Sequence, residues 1–107
     1  LSPIEILSGA RELVREGWTQ GTFARDSNGT ACIVLHRDAV VFCVIGAMVR
    51  AAGGMTAAWR EAFAAFREPI DGPVPYWNDN VSFEEMVAHF DETIATVKSR
   101  IPDTSGV

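Results

Sequence analysis

Apolar residues fall into five stretches along this chain, and their spacing changes from one stretch to the next. In the first, Ile4, Leu7, Ala10, Leu13 and Val14 recur at helical intervals, with Arg11, Glu12, Arg15 and Glu16 on the other face. Ser2-Pro3-Ile4-Glu5 gives that helix a capped start, with Ser2 as N-cap, Pro3 at the first helical position and Glu5 closing a capping box. Gly17 is expected to end it in the left-handed conformation, with Trp18 folded back on Leu13 as a helix-end anchor. From Thr19 to Leu35 the helical period is lost. Two β-prone runs flank Asp26-Ser27-Asn28-Gly29. Asn-Gly in that setting predicts a small hairpin, about 19–25 paired with 30–35, lying against the helices.

The third stretch is the most apolar. From Ala39 to Val49 no side chain carries a charge, an amide or a hydroxyl. It predicts a buried central helix over 39–52, capped by Asp38 and stopped by Gly53-Gly54. Val41, Phe42, Ile45 and Val49 are expected to be nearly inaccessible. Gly46 within it is read as room for a close neighbour, since glycine costs a helix about 1 kcal/mol against alanine. A third helix starts at Thr56, carries Trp59, Phe63 and Phe66 as its apolar stripe, and ends at Pro69. Residues 70–76 show no period and are read as a loop, closed by Trp77-Asn78-Asp79-Asn80. The last helix is capped by Ser82 with Glu85 completing a capping box, and Val81 and Met86 form a hydrophobic staple. Its stripe runs Phe83, Met86, Val87, Phe90, Ile94, Val97 and Ile101, until Pro102 stops it. The pattern therefore predicts a mainly α fold, about four helices around the buried helix 39–52, with one small β-hairpin (about 19–35). Residues 1–107 are read as a single compact domain and 102–107 as a frayed tail.

Composition narrows the function classes. A hydrophobic fraction of 48% and ten aromatics suit a packed globule. The net charge is −5 and unevenly spread: residues 1–55 carry five basic and five acidic side chains, residues 56–107 four and nine. Clustered Lys and Arg, which nucleic-acid phosphates require, are missing, so a nucleic-acid partner is disfavoured. The apolar run is about half of a membrane span, and the N-terminal residues do not read as a signal peptide; a cytoplasmic protein without a membrane anchor is expected. Cys32 and Cys43 form no C-x-x-C pair, and no His stands at metal-finger spacing. Both cysteines are expected to be reduced, with Cys43 buried and slow to react.

Candidate chemistry is sparse. Trp77-Asn78-Asp79 sets an aromatic, an amide and a carboxylate where a loop enters a helix, and with Trp18 and Gln20 it makes the candidate ligand or partner set. The plainer reading gives Asn78 and Asp79 to local turn bonds and Trp77 to the core. A Cys43–His36 nucleophile pair is disfavoured, because an apolar run raises a thiol pKa. His89 follows Glu85 at i+4, which suits a solvated surface pair. No catalytic residue, metal ligand set or cofactor is assigned.

The motifs G-W-T-Q-G at 17–21, A-R-D-x-x-G at 24–29, D-A-V-x-F-C-x-x-G-A at 38–47, R-A-A-G at 50–53 and W-N-D at 77–79 come in one order. Followed by an acidic amphipathic helix, the set resembles an uncharacterised bacterial and bacteriophage family of small domains of unknown function. The resemblance implies a compact domain sharing these motifs; it implies no activity. Two readings remain. One is a non-enzymatic binding or regulatory module acting through protein–protein contacts, including self-association as a homodimer. The other is a small ligand-binding protein or enzyme with a pocket near Trp18, Gln20, Asn78 and Asp79. Convergence of those four groups on a cleft favours the second; their commitment to caps and turns favours the first.

Overall fold

The computed structural model describes residues 1–100. Ile101, the Pro102 stop and the 102–107 tail lie outside the described residues. In chain order the elements are α1 (Pro3–Glu16), β1 (Ala24–Arg25), β2 (Val41–Phe42), α2 (Val44–Ala52), α3 (Ala57–Arg67), α4 (Val74–Asn80) and α5 (Phe83–Ser99). The fold is mainly α with a small antiparallel sheet, as the periodicities predict.

Helix α1 packs against α2, α3 and α5. Of its expected stripe Leu7, Ala10 and Val14 are fully buried and Ile4 and Leu13 partly so, while Ile6, outside that stripe, is fully buried as well. The four buried side chains join Phe42, Val44, Ala47, Met48, Ala62, Phe66, Met86 and Phe90 in one core. Each such large side chain contributes about 1.5–3 kcal/mol by leaving water. The cap signals read from the sequence form: Ser2 and Glu5 close a reciprocal capping box, and Thr56 accepts from the Trp59 N–H. Gly53 ends α2 in the left-handed region, at φ 75°. Ser82 caps α5, but Glu85 turns its carboxylate to the Ser82 hydroxyl rather than to the backbone N–H.

Several boundaries differ from the sequence reading, each for a physical reason. Helix α2 begins at Val44, not Ala39, and its N-cap is Cys43, not Asp38. Residues 41–42 are drawn into a sheet instead: Phe42 donates its N–H to the Gly17 carbonyl and accepts from Thr19, while Val41 pairs with Arg25. Val40 and Val41 are β-branched and suit that extended conformation. The Asn-Gly turn forms, with the Asp26 carboxylate accepting from the N–H groups of Asn28 and Thr30. It brings Ala31 opposite Arg25 for a single bridge. The paired strand of the sheet is 41–42 rather than 30–35.

Gly17 is extended, at φ −165°, and not left-handed. What it supplies is space, since a Cβ there would lie 2.7 Å from Val41 Cγ1. Residues 74–80, read as loop, form α4, a helix beyond the four expected. Pro73 and Pro75 fall at its cap and first turn, where a missing N–H breaks no helical bond. Finally, Phe42 and Val49 are buried as expected, but Val41 and Ile45 are only half-buried. The Ile45 side of α2 is left partly open.

Candidate functional site

Helix α4 carries Asn78 and Asp79 to the point where the 17–21 loop and the start of α2 meet. Asn78 is 1% exposed, the one fully buried amide among the described residues. Its Oδ1 accepts from the Trp18 indole N–H at 2.9 Å and from the Val44 N–H at 3.1 Å. Its Nδ2 donates to the Thr19 carbonyl at 3.1 Å and to Asp79 Oδ1 at 3.2 Å. The side chain thus makes both acceptor and both donor bonds that an amide can make comfortably in a buried place. Gln20 Nε2 donates to the Asn78 carbonyl at 3.0 Å, and the Gly21 N–H donates to Asp79 Oδ1 at 2.9 Å.

So Trp18, Gln20, Asn78 and Asp79 stand together in a clasp, although 58–60 residues separate the two pairs. Within it Asn78 is fully bonded and reaches the α2 N-terminus, while Gln20 and Asp79 are exposed and take part through Nε2 and Oδ1. Trp18 also packs on Phe83, with ring centroids 6.2 Å apart. Trp77 points elsewhere. It meets Phe66 edge-on at 5.5 Å and His89 at 4.9 Å. His89 is not part of a solvated pair with Glu85. Its Nε2 lies 2.7 Å from the Phe66 carbonyl, which can only accept, so Nε2 carries the hydrogen.

Beside the clasp lies a cavity of about 150 Å³ bounded by Gly21, Thr22, Phe23, Cys43, Pro75, Asn78 and Asp79. Cys43 closes its inner wall. The sulfur accepts from the Gly46 N–H at 3.3 Å and so acts as the cap of α2. Burial pushes the thiol pKa up; the Gly46 and Ile45 N–H groups oppose that, and the Asp79 charge reinforces it. A thiol held neutral in this way is a weak nucleophile. Cys32 and Cys43 are both free. Among the described residues, no group of three or more His, Cys, Asp or Glu side chains could hold a metal ion. No helix among them is long and apolar enough to cross a membrane.

The second candidate is a surface that the sequence reading missed. The 22–35 segment runs across the open side of α2, so close that a Cβ on Gly46 would lie 2.1 Å from the Phe23 carbonyl oxygen. Gly46 is thus the room for a close neighbour that the sequence implied. The segment leaves an apolar groove of about 350 Å³, floored by Ile45, Gly46 and Val49 and walled by Phe23, Ile33, Leu35 and Met55. Ile33 is 75% exposed, Met55 66%, Phe23 51% and Leu35 49%. The sequence signal was the apolar run Ala31–Leu35. It reads as a strand covered by its partner, but among the described residues a single β-bridge pairs it and no strand lies outside it.

No curated protein and no solved structure matches the chain. A family model does match, over residues 1–96, and its description is that of a family of unknown function, DUF6197. That span takes in α1, the sheet, the clasp, the groove and most of α5. The chain therefore belongs to the family of unknown function DUF6197.

Proposed function

We propose that this chain is a small non-enzymatic binding module acting through protein–protein contacts, with the groove over α2 as its contact surface. One observation carries the reading: Phe23, Ile33, Leu35 and Met55, each about half exposed or more, gather around one uncharged groove. Apolar side chains scattered singly over a surface signify little, whereas a contiguous patch marks an interaction site. The alternative pocket beside Asn78 and Asp79 is supported less well. At about 150 Å³ it is smaller than the roughly 300 Å³ at which small-molecule sites begin. Its amide is fully engaged within the protein, and one oxygen of its carboxylate accepts from Gly21 and Asn78. The reading takes the source as bacterial or bacteriophage, from the motif resemblance, and the location as cytoplasmic, where both thiols stay reduced.

The test is Ile33→Asp. Ile33 is largely in water, so the variant should melt as the parent does, within about 0.5 kcal/mol. It should lose the proteins that the parent retains when immobilised and washed with a lysate of its host. Equal retention by the two forms would overturn the reading.

A further inference from the structure

The cavity beside the clasp is lined by a carboxylate whose bonding is half complete. Asp79 Oδ1 accepts from the Gly21 N–H at 2.9 Å and from Asn78 Nδ2 at 3.2 Å, which occupies both acceptor sites of that oxygen. Among the described residues no donor reaches Oδ2, and Asp79 enters no salt bridge. Helix α4 itself carries no basic residue. The charge is felt on the far wall: burial raises the Cys43 thiol pKa, and Asp79 adds to that. Thr22 supplies a hydroxyl to the lining, and Phe23 and Pro75 supply apolar surface.

These features select a ligand. A carboxylate oxygen only accepts, so the ligand must bring donors, and a charged donor bonds about twice as strongly as a neutral one. A metal ion is poorly served, since no group of three His, Cys, Asp or Glu side chains gathers among the described residues. A guanidinium pairs best through both carboxylate oxygens, and Oδ1 is already taken. An ammonium is a compact charge with three donors and needs only one oxygen. At about 150 Å³ the cavity has the volume of roughly five waters, which suits an ammonium on a short alkyl stem. We infer that this cavity binds a primary ammonium group on such a stem, with Asp79 Oδ2 as counter-ion and Thr22 as a second acceptor. The site goes beyond the binding-module reading and does not depend on what meets the groove. A free alkylamine and a lysine side chain of another protein present the same chemistry. One charge-assisted bond in a half-open site sets a Kd on the order of 1–10 mM.

NMR titration of the isotope-labelled full chain, at neutral pH and constant ionic strength, tests this. The Gly21 N–H and Asn78 side-chain amide signals should move saturably with propylammonium up to about 50 mM. Propylguanidinium should bind at least about threefold more weakly, and propanol should not saturate. Asp79→Asn keeps an oxygen for the Gly21 N–H but loses the charge, and should weaken propylammonium binding at least about tenfold. Asp38→Asn alters an acid outside the cavity lining; it should bind as the parent does, which separates the site from the general acidic field. N-acetyl-lysine methylamide distinguishes the sources. Binding tighter than that of propylammonium assigns the site to a protein side chain, and equal or weaker binding assigns it to a free amine. Shifts that never saturate, propanol or propylguanidinium binding as well as propylammonium, or an Asp79→Asn chain that binds as the parent does would overturn the inference. The comparison of ligands needs only the parent, so it decides the matter even where Asp79→Asn fails to fold.

Discussion

A single amide does most of the tying in this protein. Asn78→Ala leaves the Trp18 indole N–H and the Val44 N–H without their acceptor in a buried place. The expected loss is about 2–5 kcal/mol, read from a denaturant melt. Asn78→Asp keeps the shape and the acceptor but turns a donor into a second acceptor, facing the Thr19 carbonyl and Asp79. It should be at least as damaging. Asp79 is exposed and accepts from the Gly21 N–H and from Asn78. Asp79→Ala should cost less, about 0.5–2 kcal/mol, the range of a lost cap. A variant as stable as the parent would show that the carboxylate serves something other than the clasp. For Cys43, the raised pKa gives a sign. The thiol ionises more readily in the unfolded chain, so its contribution is intact below the ordinary value of 9.0 and is lost as pH climbs through the folded value. Stability should thus fall from about pH 9 upward. Cys43→Ser, which keeps an acceptor for the Gly46 N–H, should flatten that decline. At neutral pH, iodoacetamide should label the half-buried Cys32 well before Cys43.

At the scale of elements, α2 is two-sided. Met48 is fully buried and Ile45 only half. Met48→Ala should therefore cost about 2–5 kcal/mol and Ile45→Ala about 1 kcal/mol, compared by urea midpoints. Gly46→Ala should exceed the second, because its methyl group would meet the Phe23 backbone, which cannot swing aside as a side chain would. The helices were legible because their spacing is local: stripes such as Ile4–Leu7–Ala10–Val14 and caps such as Ser2, Thr56 and Ser82 speak within a few residues. The start of α2 was not legible, since Ala39–Phe42 is as apolar as the helix and pairing with Gly17, Thr19 and Ala24–Arg25, far away in sequence, makes its end extended. Helix α4 was hidden by prolines that read as loop until their place in the first turn is known. Trp18, Gln20, Asn78 and Asp79 could be named from their residue types. Their mutual bonds could not, and the groove was invisible because exposure of Ile33 depends on the missing neighbour, not on its own identity.

For the molecule as a whole, the acidic excess of −5 sets a long-range field that draws a basic partner toward it and holds an acidic one away, over the roughly 10 Å left unscreened at 0.1 M salt. The clasp has a different consequence, in time rather than in space. Its bonds join Trp18 and Thr19 to Asn78 across 60 and 59 residues of chain. Closing so long a loop is an entropic cost that one amide cannot offset while the chain is loose. Helices α1 and α5 can nucleate locally, but the Trp18–Asn78–Val44 junction must wait for them to dock. It therefore belongs to the last step of folding, so Asn78→Ala should speed unfolding and leave the refolding rate nearly untouched.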